Sequence, residues 1–337
     1  MKVWGLCFIG FGNVGQGLAR ILVREEENLF SHFGFRFKTI AVVTKSKGSR
    51  VDPNGLSLSK LLDEINHDQT LGPCTITPEE TVCLPEVDIV IDVTPTNLKS
   101  GEPGLSVTKK ALQRGRHVVT SNKGPASLAL KDLLKIASEH KSKYRFEGTV
   151  LSGTPAINLA RESMAGCHIT EVQGIVNGTT NYILTRMEEG LEYDDALKEA
   201  QALGYAEANP EGDVDGWDAA VKVQIIASVF MGKYISLKDI SRVGISGLKR
   251  KDIEKALSQN ERIKLVAKIV QNSGQIFASV APVSLPFSHP LSGVNGATNA
   301  ITLTTDNLKD VTIIGPGAGR EETGQALLSD IISIVTH

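Results

Sequence analysis

The sequence lacks the features that mark several classes of protein. Its four cysteines have no CxxC spacing, so we expect reduced, mostly structural thiols of a cytoplasmic protein. No apolar run approaches the roughly 18 residues that span a bilayer, and a strand pattern begins so early that we expect no signal peptide. The formal net charge of -2 gives no electrostatic reason to expect binding to nucleic acid or to an acidic membrane. The cysteines are Cys7, Cys74, Cys83 and Cys167.

The length and composition are those of a globular protein with more than one lobe. At 337 residues the chain is long for a single hydrophobic core. Hydrophobic residues make up 41% of it and charged residues 22%, both near the globular averages. There is no internal repeat, heptad array or low-complexity tract. We therefore expect two or three lobes.

A glycine-rich turn between a strand and a helix opens the chain. Val3–Ile9 is a short apolar run typical of a buried parallel strand, and Gln16–Val23 has a helical pattern. The glycines between them have GxGxxG spacing, which permits a tight turn, close approach of the backbone to a pyrophosphate, and close packing of helix on strand. This context predicts a dinucleotide site; a glycine turn without a ligand is the alternative. The predicted cofactor contacts are Gly10, Phe11, Gly12, Asn13, Val14 and Gly15.

The next strand, Phe37–Val43, is followed by basic residues where an NAD site usually has an acid. An acid there accepts hydrogen bonds from the ribose hydroxyls, whereas Lys45, Lys47 and Arg50 suit the 2′-phosphate of NADP. We therefore predict NADP as cofactor, with NAD still possible. A solvated basic turn is the structural alternative.

Two further strands end in polar residues. Val87–Val93 leads to Thr94, and His117–Thr120 leads, after two residues, to a loop with Lys123. Because ligands bind at the carboxyl ends of the strands in open α/β sheets, Thr94 and Lys123 are predicted to contact the cofactor, with Lys123 beside the nicotinamide. The alternative for Lys123 is an exposed loop lysine.

The segment from Gly204 to Lys222 packs several acids and one lysine between a glycine turn and an apolar helix. Asp218 and Lys222 lie one helical turn apart, on a face that also carries apolar residues such as Val221 and Ile225. Three interpretations follow: an active-site lysine oriented by acids, a buried structural ion pair, or a surface pair worth a few tenths of a kcal/mol. Apolar surroundings favour shielding from water, which is costly unless the charges are paired or functional.

The alternation of strand and helix changes past residue 145. A turn-rich linker, Glu147–Pro155, leads to a predicted helix around Ala156–Ala165. Later strands such as Ile276–Val280 mix polar and apolar positions, which indicates a sheet with one solvated or interface face. We predict a nucleotide-binding domain at 1–145, a catalytic and dimerisation domain at 146–305, and a C-terminal segment at 306–337 that returns to the first domain.

Taken in order, these motifs resemble homoserine dehydrogenase, and the resemblance covers essentially the whole chain. The segment up to Lys222 is highly specific for that family, whereas the glycine fingerprint alone is not. The chain resembles the short, monofunctional form without a kinase or regulatory domain. The matching stretches begin at Gly10, Asp92, Val119, Gly174, Gly204 and Gly315.

The resemblance implies a fold and an activity. The implied fold is α/β, with a Rossmann-type doubly wound parallel sheet and a second α+β domain for substrate binding and dimerisation. The implied reaction is the reversible reduction of L-aspartate 4-semialdehyde to L-homoserine by NAD(P)H, on the route to threonine, methionine and isoleucine. A cytoplasmic homodimer with a small-molecule substrate is implied as well.

The resemblance also implies residue roles. Lys222 matches the acid/base lysine and Lys123 a second lysine near the nicotinamide. Glu207 and Asp218 match acids that hold the substrate amine and hydroxyl. The remaining assignments are Thr179, Tyr205 and Asp213 to substrate, Gly319 to cofactor, and the backbone carbonyls of Glu147, Val150, Ser152 and Thr154 to a monovalent cation such as Na⁺. Carbonyl oxygens suit hard cations. The chain departs from many relatives at Asn209, where an acid is common.

The chemistry is consistent with these roles. When hydride reaches an aldehyde carbon, the carbonyl oxygen gains negative charge, which a proton donor within about 3 Å stabilises. Two other classes are alternatives. One is another Rossmann oxidoreductase of amino-acid metabolism. Its example, aspartate semialdehyde dehydrogenase, acts on the same aldehyde but needs a cysteine nucleophile in a distinctive context. A non-catalytic NADP-sensing protein has no reason to keep Glu207, Asp218 and Lys222 together.

Overall fold

The structure is a computed structural model that describes residues 2–336, and it divides into two compact units. Unit 1 contains the described residues up to Gly153 together with those from Gly319 onward, and unit 2 contains Thr154–Ala318. Each unit has its own six-stranded sheet. The predicted α/β fold class is confirmed.

Unit 1 is built on a mostly parallel sheet. Its strands are β1 (Val3–Ile9), β2 (Arg36–Val43), β3 (Ser49–Leu56), β4 (Ile89–Asp92), β5 (His117–Thr120) and β6 (Tyr144–Arg145). The order is β3-β2-β1-β4-β5-β6, with only β3 antiparallel to its neighbour. The chain therefore reverses its winding direction at β1, between β2 and β4, where a doubly wound sheet opens a ligand crevice at its carboxyl edge.

Helices cover this sheet and bury its apolar strands. They are α1 (Asn13–Arg24), α2 (Glu26–Phe33), α3 (Leu58–His67), α4 (Pro78–Thr81), α5 (Gly104–Gln113), α6 (Lys123–Glu139) and α12 (Arg320–Thr336), with a 3₁₀ turn at Glu147–Thr149. Apolar residues at helical spacing on α1, such as Leu18 and Leu22, share one core with Leu327 and Ile331 of α12. Helix α12 thus contributes to the hydrophobic core of unit 1.

Unit 2 contains a second sheet of different character. Its strands are β7 (Ile169–Ile175), β8 (Ser241–Arg242), β9 (Glu261–Asn272), β10 (Gln275–Pro286), β11 (Thr298–Thr305) and β12 (Lys309–Pro316). The order is β12-β11-β7-β9-β10-β8, antiparallel except for the pair of β10 with β8. In unit 2 all eight residues of β12 pair with the eight residues of β11, whereas α12 belongs to unit 1.

The helices of unit 2 carry the acid and lysine residues of interest. They are α7 (Gly178–Glu188), α8 (Tyr193–Ala202), α9 (Glu211–Val214), α10 (Trp217–Phe230) and α11 (Arg250–Ser258), with a 3₁₀ turn at Leu237–Asp239. The helix expected around Ala156–Ala165 is a π-helical segment at Leu159–Ser163. Among residues 2–336, no helix combines the length and apolarity needed to cross a membrane.

Candidate active site

The glycine turn after β1 has the geometry that its spacing predicts. Gly10 has a φ of +96°, and a Cβ there would lie 2.8 Å from the carbonyl oxygen of Val93. Gly15 is buried against the same turn, where a Cβ would lie 3.2 Å from the Gly10 oxygen. Gly12 caps α1 and has open space around it. The amino-terminal end of the twelve-residue helix α1 is therefore unobstructed at Gly12. This open helix terminus can accommodate the pyrophosphate of a dinucleotide.

The other residues of the predicted fingerprint have different environments. Phe11 is only 1% exposed and packs edge to face on Phe8, so its side chain belongs to the core. Its carbonyl accepts a hydrogen bond from the side chain of Gln16 at 3.0 Å. Asn13 is exposed and Val14 half-buried at the first turn of α1. Gly319 precedes α12 with a φ of +142°, and its carbonyl accepts from the Thr323 hydroxyl at 2.7 Å.

The basic segment after β2 is divided by the structure. Thr44 forms a tight turn, its hydroxyl donating to the Gly48 carbonyl at 2.9 Å, and it leaves Lys45 exposed and Lys47 half-buried. Arg50 instead lies on β3, where Nε donates to the Leu71 carbonyl at 2.6 Å. A second guanidinium nitrogen of Arg50 lies 3.1 Å from the carboxylate of Glu64. The three basic residues therefore differ as candidates to bind a phosphate, since Arg50 already contacts Leu71 and Glu64.

A buried polar network joins the carboxyl ends of β4 and β5, and sequence reasoning did not assign it a role. Asp92 is fully buried. One of its oxygens accepts from the Thr94 hydroxyl at 2.7 Å, and the other lies 3.4 Å from both Thr120 Oγ1 and Asn122 Nδ2. Burial raises the pKa of Asp92, and the hydrogen bonds from Thr94, Thr120 and Asn122 oppose that rise. The network fixes the loop that carries Thr94.

The same network determines where Lys123 lies. The Asn122 side chain accepts from the backbone N–H of Gly124 at 2.9 Å and so caps α6. Lys123 is consequently the first residue of that helix rather than part of a loop, which corrects the expectation from the sequence. Its backbone N–H donates to Thr96 Oγ1 at 3.3 Å. The half-buried Lys123 is thus held at the carboxyl edge of the unit 1 sheet.

In unit 2, α10 holds a shielded ion pair. Lys222 is 8% exposed, and its Nζ lies 2.7 Å from Oδ2 of Asp218. The ammonium also donates to the carbonyl of Val176, at the end of β7, at 2.6 Å. Neighbouring residues such as Val221 and Ile225 are fully buried. The expectation of a pair shielded from bulk water is therefore met, and the surface-pair interpretation is excluded.

An asparagine that the sequence analysis did not single out connects the acids. Asn177 Nδ2 donates to Oδ1 of Asp213 at 2.6 Å and to Oδ2 of Asp218 at 3.0 Å. Asn177 thereby links Asp213 to Asp218, the carboxylate that contacts the lysine. The signal available in the sequence was an Asn followed by a helical pattern, which predicts a helix cap and not a link to distant carboxylates.

The remaining predicted substrate residues lie on neighbouring segments of unit 2. Thr179, at the start of α7, donates its hydroxyl to the Tyr205 carbonyl at 2.6 Å. The Tyr205 ring is 44% exposed and lies 4.9 Å from the Tyr182 ring. Glu207 is exposed, and its carbonyl accepts from Gln201 Nε2 at 3.1 Å. Asn209, where many relatives have an acid, accepts a hydrogen bond from the backbone N–H of Glu211 at 3.2 Å, just before α9.

The four residues predicted to hold a cation are all buried. In unit 1, the backbone N–H of Glu147 donates to Asp330 at 2.9 Å. Ser152 has a φ of +56°, and its hydroxyl lies 2.6 Å from that of Thr323. In unit 2, the Thr154 hydroxyl donates to the Pro316 carbonyl at 3.0 Å. Main-chain carbonyl oxygens, the predicted ligands at these residues, are ligands that suit a hard cation.

Comparison with known proteins gives consistent results. A family model described as homoserine dehydrogenase matches residues 155–332, and one described as the homoserine dehydrogenase NAD binding domain matches residues 10–147. The NAD(+)-dependent homoserine dehydrogenase of Pseudomonas canavaninivorans is 41% identical over 99% of this chain and 97% of that protein. A crystal structure of a candidate homoserine dehydrogenase from Archaeoglobus fulgidus is 36% identical, with a TM-score of 0.91 over 99% of this chain and 100% of that one. A hyperthermophilic archaeal homoserine dehydrogenase in complex with NADPH is 32% identical, with a TM-score of 0.85 over 99% and 98% of the two chains.

A glycine turn after the first strand of a doubly wound parallel sheet is typical of an NAD(P)-dependent oxidoreductase. The matched NAD binding model agrees with this class. With both models matched and relatives aligned over nearly the full length, the chain belongs to the homoserine dehydrogenase family. The reaction of that family is the reversible, NAD(P)H-dependent reduction of L-aspartate 4-semialdehyde to L-homoserine. The resemblance found in the sequence is confirmed.

Proposed function

We propose that Lys222 is the acid/base residue of this reaction. The observation that supports the proposal is its environment, since the ammonium is held by Asp218 at 2.7 Å and by the Val176 carbonyl at 2.6 Å. When bound, the reduced nicotinamide supplies the hydride. Lys222 then gives a proton to the carbonyl oxygen as charge develops there, and takes the hydroxyl proton in the reverse direction.

Asp218 holds the lysine in place and is a candidate partner for the substrate hydroxyl. Asp213 and Glu207 are candidates for the substrate ammonium, which needs a carboxylate. Glu207 is exposed, so its carboxylate is free to turn toward a ligand without breaking a buried contact. Thr179 and Tyr205 hold the shape of the loop that carries Glu207, through their 2.6 Å hydrogen bond.

We propose that unit 1 prefers NADP(H). Lys45 and Lys47 carry this preference, because they follow β2 in the turn next to Gly10, whose N–H donates to the Val43 carbonyl at 2.7 Å. Arg50 has its Nε and one terminal nitrogen directed to Leu71 and Glu64, so we assign it to holding β3 against α3. Thr94, Lys123 and Gly319 remain candidate cofactor contacts.

We propose a monovalent cation such as Na⁺ at the carbonyls of Glu147, Val150 and Ser152 in unit 1. The support is the family assignment together with the left-handed conformation of the buried Ser152, which is unusual for a residue other than glycine. Replacing sodium by choline in the assay buffer tests the proposal: activity falls if the cation is needed and is unchanged if it is not.

We propose a homodimer formed through the open face of the unit 2 sheet. On one face the register places Ser279, Lys268, Gln173, Thr302 and Thr312 in one row and Phe277, Val270, Glu171, Thr304 and Asp310 in the next. Phe277 is 60% exposed, and Ile314 on the same face is 55% exposed. On the opposite face Val280 and Ile301 are fully buried. Large exposed apolar residues on one face of a sheet favour a protein partner.

We further propose that the enzyme serves threonine, methionine and isoleucine synthesis in the cytoplasm. The family assignment supports the pathway. The four cysteines, all within the described residues, are free thiols, which supports a reducing compartment.

The activity is tested by following NADPH oxidation with L-aspartate 4-semialdehyde, and NADP reduction with L-homoserine. Succinate semialdehyde, which lacks the ammonium, is the matched control substrate. We expect turnover in both directions and a much lower kcat/KM for the control. Cofactor binding without any turnover would instead indicate an NADP-sensing protein.

A further inference from the structure

One side-chain amide holds two of the acids in the lysine cluster. Asn177 is 5% exposed and directly follows Val176 at the end of β7. Its Nδ2 donates to Asp213 at 2.6 Å and to Asp218 at 3.0 Å. A primary amide has two N–H donors, so each carboxylate can take one of them.

The other end of the same side chain is also engaged. Asn177 Oδ1 accepts from the backbone N–H of Thr180 at 2.9 Å and lies 3.0 Å from the Thr180 hydroxyl. Asn177 is therefore the cap of α7. Because the cap fixes the amide, its two donors have a fixed direction, and the acids are oriented by the start of a helix.

Two adjacent residues directly after β7 thus hold both members of the ion pair. The Val176 carbonyl binds the Lys222 ammonium, and the Asn177 amide binds the Asp218 carboxylate. A neutral donor also separates Asp218 from Asp213. Carboxylates that lie close together without such a donor tend to share a proton, which would take charge away from the lysine.

We propose that Asn177 is a positioning residue that keeps Asp213 and Asp218 charged and oriented, and through Asp218 fixes Lys222. This inference rests on the proposed acid/base role of Lys222. Asn177 does not itself touch the reacting atoms; it sets the geometry of the groups that do.

Two substitutions separate this role from helix capping. Ser and Asp cap helices about as well as Asn, so Asn177→Ser and Asn177→Asp keep the start of α7 but remove the amide donors. For Asn177→Ser we expect kcat to fall about 10- to 100-fold, the range for hydrogen bonds to charged groups. Asn177→Asp places a third carboxylate beside the other two, so its kcat at pH 8 should be lower than that of Asn177→Ser.

The pH dependence gives the distinguishing signature. Lowering the pH protonates the carboxyl introduced by Asn177→Asp and makes it a donor, so its kcat relative to the native enzyme should rise between pH 8 and pH 6. Asn177→Ser has no such group and should show no relative recovery. Ser57→Ala, which removes the side-chain cap of α3 in unit 1, is the control for the loss of a helix cap and should keep near-native kcat and pH profile.

Thermal melts establish that the variants are folded before the kinetics are compared. If Asn177→Ser and Asn177→Asp are folded and keep native kcat and pH dependence, the amide only caps α7 and the inference is overturned. Lys222→Ala is measured beside them. Native turnover in that variant overturns both the acid/base assignment and this inference, whereas an impaired Lys222→Ala with normal Asn177 variants overturns this inference alone.

Discussion

Lys222 and Asp218 lie one helical turn apart on α10, with Nζ 2.7 Å from Oδ2, and the helix is buried from Ala219 to Ala227. An i,i+4 pair at the surface contributes only a few tenths of a kcal/mol. In this setting the carboxylate instead holds the lysine in one orientation, because neither charge can exchange its partner freely for water.

Lys222→Ala should therefore lower kcat by at least about 100-fold, the scale for losing a positioned acid or base, while the Kd for NADP(H) barely changes. Asp218→Asn should lower kcat with the fold intact, since the amide keeps the shape but loses the charge. Lys123→Ala should lower turnover and also weaken cofactor binding, because Lys123 starts α6 at the carboxyl edge of unit 1. Measurement of kcat and cofactor Kd for the three variants decides the assignment, which is wrong if Lys222→Ala turns over normally and Lys123→Ala does not.

Cofactor preference should follow the lysines after β2. Lys45→Ala combined with Lys47→Ala should lower kcat/KM for NADPH by about 10-fold or more, the scale for a charged hydrogen bond, and leave the value for NADH nearly unchanged. Arg50→Ala is the control. It should keep the preference and lower the stability of unit 1, because it loses the contacts to Leu71 and Glu64. Equal native values for the two cofactors would contradict the assignment.

Association should depend on the open sheet face of unit 2. Phe277→Asp puts a charge on a residue that is 60% exposed, and burying an unpaired charge at an interface is costly. Sedimentation at micromolar concentration should show a dimer for the native chain and a monomer for this variant. Phe33→Asp changes a similarly exposed phenylalanine of unit 1 (45% exposed) and should remain dimeric. A native chain that sediments as a monomer rules the interface out.

Stability should fall as the pH drops from about 6.5 toward about 4, in part because of His117. Burial, with the charges of Lys143 and Lys2, lowers the pKa of His117 from 6.5 to about 4, and Nδ1 accepts from the Lys143 N–H at 3.1 Å. In this range the unfolded chain binds the proton first, so acid favours unfolding. His117→Asn, whose amide oxygen can accept the same hydrogen bond, should reduce the loss by roughly 1 kcal/mol after allowance for partial exposure. Urea unfolding at pH 7.5 and pH 5 tests this, and parallel curves for the two proteins would refute it.

The contact of α1 with α12 should not tolerate a methyl group at Gly17. A Cβ there would lie 2.0 Å from the Arg320 carbonyl oxygen. Gly to Ala normally stabilises a helix interior by about 1 kcal/mol, but overpacking of this kind costs about 1–3 kcal/mol. We expect Gly17→Ala to lower the urea midpoint, whereas Gly247→Ala, at a position with open space, should leave it unchanged. A stabilised Gly17→Ala would show that the helices can separate at no cost.

The features that the sequence predicts correctly are local ones. The turn at Gly10 and Gly15 is predictable because the spacing of its glycines, the strand before it and the helix after it all lie in one short segment. The helix of Asp218 and Lys222 is predictable for the same reason, since its period and its apolar surroundings are visible in one short segment.

Features that depend on residues distant in sequence were not predictable. Asn177 lies 36 residues from Asp213 and 41 from Asp218, and nothing local indicates that its amide would meet them. Arg50 was expected at the cofactor because it follows a strand, but the chain turns back as the antiparallel β3 and directs it to Leu71 and Glu64. In both cases the tertiary fold, and not the local sequence pattern, determines which residues the side chain binds.

The separation of unit 1 into two stretches of sequence has a consequence for synthesis. Ribosomes synthesise the chain from its amino end, so all of unit 2 has been made before α12 leaves the exit tunnel. Until then Leu18 and Leu22 lack their partners Leu327 and Ile331, and the first unit cannot complete its core. A chain that ends at Gly319 and has been released from the ribosome should therefore be cut by protease within residues 2–153 and protected within unit 2. In the full-length chain, which has α12, the cleavage within residues 2–153 should disappear.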